Sequence, residues 1–102
     1  MAKHANIDIS QRTIETFCKK YHVRKLALFG SVLREDFNQK SDVDVLVEFE
    51  AGQVVGFIRL AAMELELSGL LGYKVDLRTP GELSRYFRKD VLDSAEVRYA
   101  QG

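Results

Sequence analysis

Asp42 and Asp44 stand one residue apart at the head of DVDVLVEF, a run otherwise rich in valine, leucine and phenylalanine. An extended chain points alternate side chains to one face, so both carboxylates share a side, their backbones roughly 6 to 7 Å apart. Clustered carboxylates raise each other's pKa unless a cation relieves the repulsion. Their hard oxygens suit Mg²⁺ or Mn²⁺, which keep several waters and bind substrate phosphates. Asp76, in YKVDLRT, is a further carboxylate on an alternating segment whose same face carries Lys74 and Arg78. If the two segments pair, three carboxylates meet. Such a set can hold two cations that activate an attacking oxygen and stabilise a leaving one.

Gly30-Ser31, ahead of the aspartates, supplies a second half. A glycine at a strand end permits a tight turn and close backbone approach. Amides opening a helix after it favour a phosphate. The Ser31 hydroxyl adds a hydrogen bond, and Arg34 lies one turn on. Each piece has a plainer reading. Asp-x-Asp is common on half-exposed strands, and Gly-Ser is usually only a turn. Asp76 between Lys74 and Arg78 could be a surface ion-pair row of little energetic weight, and Arg34 and Lys40 could be simply solvated. The combination points to a site.

The surrounding elements must position these groups. Ser10 fits an N-cap, with Ile14, Phe17, Cys18 and Tyr21 at helical spacing behind it over about residues 10–22. Cys18 on that stripe is a core residue. VRKLALFG reads as a strand ending at Gly30, and a short helix from Ser31 reaches about Arg34 or Asp36. The aspartate run is the second strand, with Asp42, Asp44, Leu46 and Glu48 on one face and Val43, Val45, Val47 and Phe49 on the other. A helix over 57–71 buries Phe57, Leu60, Ala61, Met63, Leu67 and Leu70 and stops at Gly72. YKVDLRT is the third strand. The tail after Pro80 starts helical, and its end fits either helix or strand. This order argues a small α/β or α+β sheet flanked by helices.

The 102 residues suit one domain. With 15 acids against 15 bases, no global basic field exists to hold a long nucleic acid. One cysteine excludes an internal disulfide and a thiol-rich zinc site, and suits a reducing cytoplasm. The first ten residues lack the apolar core of a secretory signal, and no run is long enough to cross a membrane.

GSVLREDFNQKSDVDVLVEF resembles the signature of the polymerase-β-like nucleotidyltransferase superfamily: Gly-Ser, about ten residues, then Asp-x-Asp. The fuller pattern, with Gly30, Ser31, Arg34, Asp36, Ser41, Asp42 and Asp44, resembles its smallest branch, the minimal nucleotidyltransferases (MNT). Asp76 matches the third carboxylate by order and context. The resemblance implies a nucleotidyltransferase core, a small mixed sheet flanked by helices. It also implies transfer of a nucleoside monophosphate from a triphosphate to a hydroxyl. Asp42, Asp44 and Asp76 would be catalytic and hold two Mg²⁺ ions, with Mn²⁺ as substitute. Gly30, Ser31, Arg34 and Ser41 would contact ATP.

Proteins of that branch pair with HEPN-type RNases in toxin–antitoxin modules, where the MNT partner adenylylates a tyrosine. The resemblance therefore implies an antitoxin acting on a HEPN-type toxin in the cytoplasm, as a homodimer or hetero-oligomer. The rival from another class is an MNT-fold antitoxin that neutralises its partner by binding alone. Phosphatase or glycosyltransferase uses of Asp-x-Asp need longer chains.

Overall fold

The structure is a computed structural model that describes residues 7, 9–38, 40–82 and 88–101. Helix α1 (Gln11–Lys20) opens at Ser10, whose Oγ accepts the Thr13 N–H at 3.4 Å. This satisfies one of the N–H groups that a helix start leaves without a partner. Its apolar stripe buries Ile14, Phe17 and Cys18, while Lys19 and Lys20 lie at the negative end of the helix dipole. Burial pushes the Cys18 thiol up to about 12, so it stays protonated and is no nucleophile.

The chain then forms β1 (Val23–Phe29), a 3-10 turn (Gly30–Leu33) and β2 (Val43–Phe49). After α2 (Phe57–Leu71) come β3 (Val75–Arg78) and a second 3-10 turn (Pro80–Glu82). Helix α3 (Arg88–Ser94) and β4 (Glu96–Ala100) follow. The four strands form one mixed sheet in the order β3-β2-β1-β4. Strand β1 runs antiparallel to β2 and to β4, whereas β2 and β3 are parallel. A parallel pair needs a crossover, and α2 is that crossover. Val43, Val45, Val47, Val75 and Leu77 point to the face where Ile14, Phe17, Met63 and Leu67 complete the core. Burying each such side chain contributes about 1.5–3 kcal/mol. The opposite face carries Asp44 and Asp76, with Leu46 and its register partner Ala27 also buried. The second 3-10 turn contacts β2.

Strand β3 is an edge, and its outward N–H groups would be unpaired without α2. Ser68 Oγ accepts the Val75 N–H at 2.9 Å, and Glu64 Oε2 accepts the Leu77 N–H at 2.9 Å. These two bonds flank Asp76 and fix where its backbone lies. Glu64→Ala should cost about 1–2 kcal/mol by leaving one partly buried donor without its partner. Urea unfolding monitored by circular dichroism checks that value, and no loss would contradict it.

Several expectations are amended. Asp42 precedes the strand instead of opening it. The short helix is a 3-10 turn ending at Leu33. Helix α2 has the expected span, with Gly72 left-handed at its C-cap, but Phe57 (85% exposed), Ala61 and Leu70 (46%) are exposed and not core residues. Spacing alone assigned them inward, whereas only the part of α2 that meets the sheet is covered. The expected helix in the tail is partly outside the described residues; α3 is helical and the end is strand. No described helix is long and apolar enough to cross a membrane.

Candidate active site

Sheet register assembles the site. Phe29 pairs with Asp44, and Asp44 pairs with Asp76, so one row crosses three strands. Neighbouring strands lie about 4.8 Å apart, which puts the two aspartates side by side on one face. Gly30 follows Phe29 and has φ +73°, a left-handed conformation that L side chains rarely adopt. A Cβ there would collide with Asp44 Oδ2, so glycine is required by both backbone and space. The Ser31 backbone N–H donates to the Asp44 carboxylate. Ser31 Oγ donates to the Asp42 carbonyl oxygen at 2.9 Å. The Gly-Ser turn is therefore fastened to both residues of the Asp-x-Asp pair.

The Asp44 carboxyl is held above its ordinary value of 3.8, first by burial and next by the charge of Asp76. The Ser31 N–H opposes this, Asp42 adds to it, and Arg78 opposes it weakly. Asp76 Oδ2 meets Arg78 Nη2 at 3.1 Å. The half-buried, negatively charged pair is thus short of positive charge at Asp44 and supplied from one side at Asp76. Among the described residues, no three His, Cys, Asp or Glu side chains are gathered as a ready-made cation site. The donor set still fits a hard divalent cation: carboxylate oxygens on adjacent strands, with Asp44 destabilised as an anion by burial and by the charge of Asp76.

The remaining expected residues are not all in the row. Asp42 is exposed at the strand's entrance, near enough for its charge to act on Asp44. Arg34 ends the 3-10 turn with an exposed side chain. Ser41 builds the loop: its Oγ accepts the Asn38 N–H at 3.2 Å, and its N–H donates to Asn38 O at 3.0 Å. Asn38 Oδ1 also accepts the Lys40 N–H at 2.8 Å. This knot delivers the chain to Asp42 and Asp44. Glu64 and Ser68, which fix the edge strand beside Asp76, were missed in the sequence. Their i, i+4 spacing put both on one helix face, a signal for a shared partner that strand pairing alone could identify.

A mixed sheet with an amide-lined glycine turn beside paired carboxylates is the arrangement of a nucleotidyl-transferring enzyme core. The comparisons give the particular family: residues 10–98 match the nucleotidyltransferase domain, and the chain belongs to that family. Two relatives place it on the minimal branch. A Methanocaldococcus jannaschii protein, provisionally named a protein adenylyltransferase, is 36% identical over 85 residues, 82% of this chain and 85% of that one. Protein adenylyltransferase MntA of Thermococcus cleftensis is 35% identical over 74 residues, 72% of this chain and 73% of that one. A solved structure provisionally named a minimal nucleotidyltransferase superposes with TM-score 0.68 at 33% identity, covering 83% of this chain and 85% of that one. The same fold occurs in a complex of tri-AMPylated Shewanella oneidensis HEPN toxin with MNT antitoxin. There the TM-score is 0.64 at 19% identity, over 89% of this chain and 70% of that one.

Proposed function

We propose that this chain transfers AMP from ATP to a tyrosine hydroxyl of a HEPN-type toxin, and so acts as its antitoxin. The observation that carries the reading is the register pairing of Asp44 with Asp76 beside the Gly30-Ser31 turn. Asp42, Asp44 and Asp76 would hold Mg²⁺ or Mn²⁺, two ions in the full arrangement. Such ions, when bound, neutralise the charge of the triphosphate.

The chain's own groups set the geometry. Gly30 lets the turn lie against Asp44, so phosphates on the cations would meet the same turn, where the Ser31 N–H and Oγ, which otherwise hold Asp44 and the Asp42 carbonyl, would turn to them. Arg34 lies one turn on and adds positive charge on the phosphate side. Ser41, whose hydrogen bonds build the loop that presents Asp42, would also contact the nucleotide. The acceptor oxygen attacks the α-phosphorus and forms the new P–O bond. The bond from that phosphorus to the bridging oxygen breaks, and pyrophosphate carries the electron pair away. The acceptor's proton passes to an Asp76 carboxylate oxygen. Catalysis is then positioning plus electrostatics, with no covalent enzyme intermediate. A cytoplasmic hetero-oligomer with the toxin belongs to the same reading.

The Asp76–Arg78 contact favours a second reading, in which the site neutralises itself and the protein inhibits by binding alone. One experiment separates the two. With Mg²⁺ and α-labelled ATP, the wild type should label its cognate HEPN-type protein, and the double variant Asp42→Ala/Asp44→Ala should not. Protection from toxicity retained in the double variant, with no labelling by the wild type, would establish the binder.

A further inference from the structure

Beside Asp76, at the sheet edge where α2 begins, lies a groove of about 240 Å³. Phe57, Leu60, Ala61 and Leu77 make its apolar wall, and Glu64, Asp76 and Arg78 its polar one. Phe57 is 85% exposed, and Val54 (93%) and Ile58 (85%), its neighbours in the chain, are exposed apolar residues as well. We infer that this groove receives the acceptor side chain, a flat apolar ring ending in a hydroxyl, and that Phe57 and its neighbours dock the protein segment carrying it. The inference rests on the transferase reading above and deepens it.

Three observations carry it. First, the strand order places the Gly30-Ser31 turn on the β1 side of Asp44 and the groove on the β3 side. Displacement at phosphorus is in line, with attacking and leaving oxygens on opposite sides. If the leaving pyrophosphate sits at the glycine turn, the attacking hydroxyl arrives from the β3 edge, beside Asp76. Second, the groove falls below the roughly 300–1,000 Å³ of small-molecule pockets, which suits one inserted side chain and not a whole nucleotide. Third, the groove combines apolar and charged lining, and its apolar residue Phe57 is itself exposed, with exposed Val54 and Ile58 close by in the chain. A small free acceptor has no use for these exposed residues; a protein partner buries them, as the apolar centre of an interface.

The test measures AMP transfer to the cognate HEPN-type protein across a range of its concentrations, with MgATP affinity measured in parallel by a fluorescent ATP analogue. Phe57→Ser and Ala61→Arg change exposed side chains and so leave the fold intact, which a melting curve verifies. Each should raise KM for the partner about tenfold or more, with MgATP affinity within about twofold of wild type. Leu65→Ser is the control. Leu65 is 77% exposed on the same helix, about 12 Å further along and outside the groove, and its loss should leave KM unchanged. Unchanged KM in Phe57→Ser and Ala61→Arg overturns the groove. An equal rise in Leu65→Ser also overturns it, in favour of general helix stickiness. Failure of the wild type to bind MgATP or to modify the partner removes the transferase reading itself, a different outcome from either.

Discussion

Asp44→Asn should raise the stability of the metal-free protein while lowering adenylyl transfer by about a thousandfold or more. The stability half follows from the raised carboxyl. Asp44 is held above 3.8 by burial and by Asp76, so the folded protein binds that proton more readily than the unfolded chain does. An acid shifted this way destabilises the fold as pH rises: between its ordinary and its raised value, the folded state holds more protons, and unfolding becomes easier with each step up. The loss is complete above the raised value and absent well below 3.8. Asparagine keeps the shape and the contact with the Ser31 N–H only in part, but removes the charge. The advantage of Asp44→Asn over wild type should therefore be largest near neutral pH and disappear in acid. Thermal melts of both proteins across that range, in chelator, measure it. Equal pH dependence of the two would show that Asp44 is not strained as an anion.

The activity half rests on the same charge. Removing a carboxylate that helps to hold the charge-neutralising cation takes away several kcal/mol of transition-state stabilisation, and about 4 kcal/mol is a thousandfold. A residue that harms the fold and serves the reaction is the pattern expected of a functional site. Gain of stability with retained activity would separate the two effects and undo the assignment.

Gly30→Ala is the second large effect. The backbone there has φ +73°, where an L side chain is strained, and the added methyl would run into Asp44 Oδ2. Relief requires the turn to move away from Asp44, which breaks the Ser31 N–H contact with that carboxylate. The strain alone should cost about 1–2 kcal/mol, since it adds to the loss of a compatible glycine. Displacing the turn should reduce transfer by about a hundredfold, because a misplacement of about 1 Å at a reacting centre costs that much. Urea unfolding and initial rates check the two numbers separately. Normal stability and normal turnover in Gly30→Ala would mean that the turn has no part in the site.

The sequence carried these residues because the local rules were strong. A two-residue period put Asp44 opposite the core-facing valines. A 3.6-residue period and Gly72 bounded α2. Other features rested on contacts between distant segments. Nothing in YKVDLRT says that it runs parallel to β2, or that Asp76 lands opposite Asp44; the α2 crossover decides that. EVRYA alternates too briefly to declare β4, which forms by backbone pairing along the free side of β1, a partner far away in the chain. Phe57 matched a core spacing and yet is exposed, because the first turn of α2 is left uncovered. The groove beside Asp76 is lined from α2 and β3 together, so it had no local signature. Ser41 fitted the motif by position, while its hydrogen bonds show a residue that shapes the loop.

The most direct test of the central claim is a crystal grown with Mn²⁺ and a nonhydrolysable ATP analogue, with the metal located by its anomalous scattering. The account predicts manganese between Asp44 and Asp76, Arg78 drawn off Asp76, and the terminal phosphates against the Gly30-Ser31 amides. Nucleotide bound away from that turn, or metal absent from the aspartate pair, would contradict it.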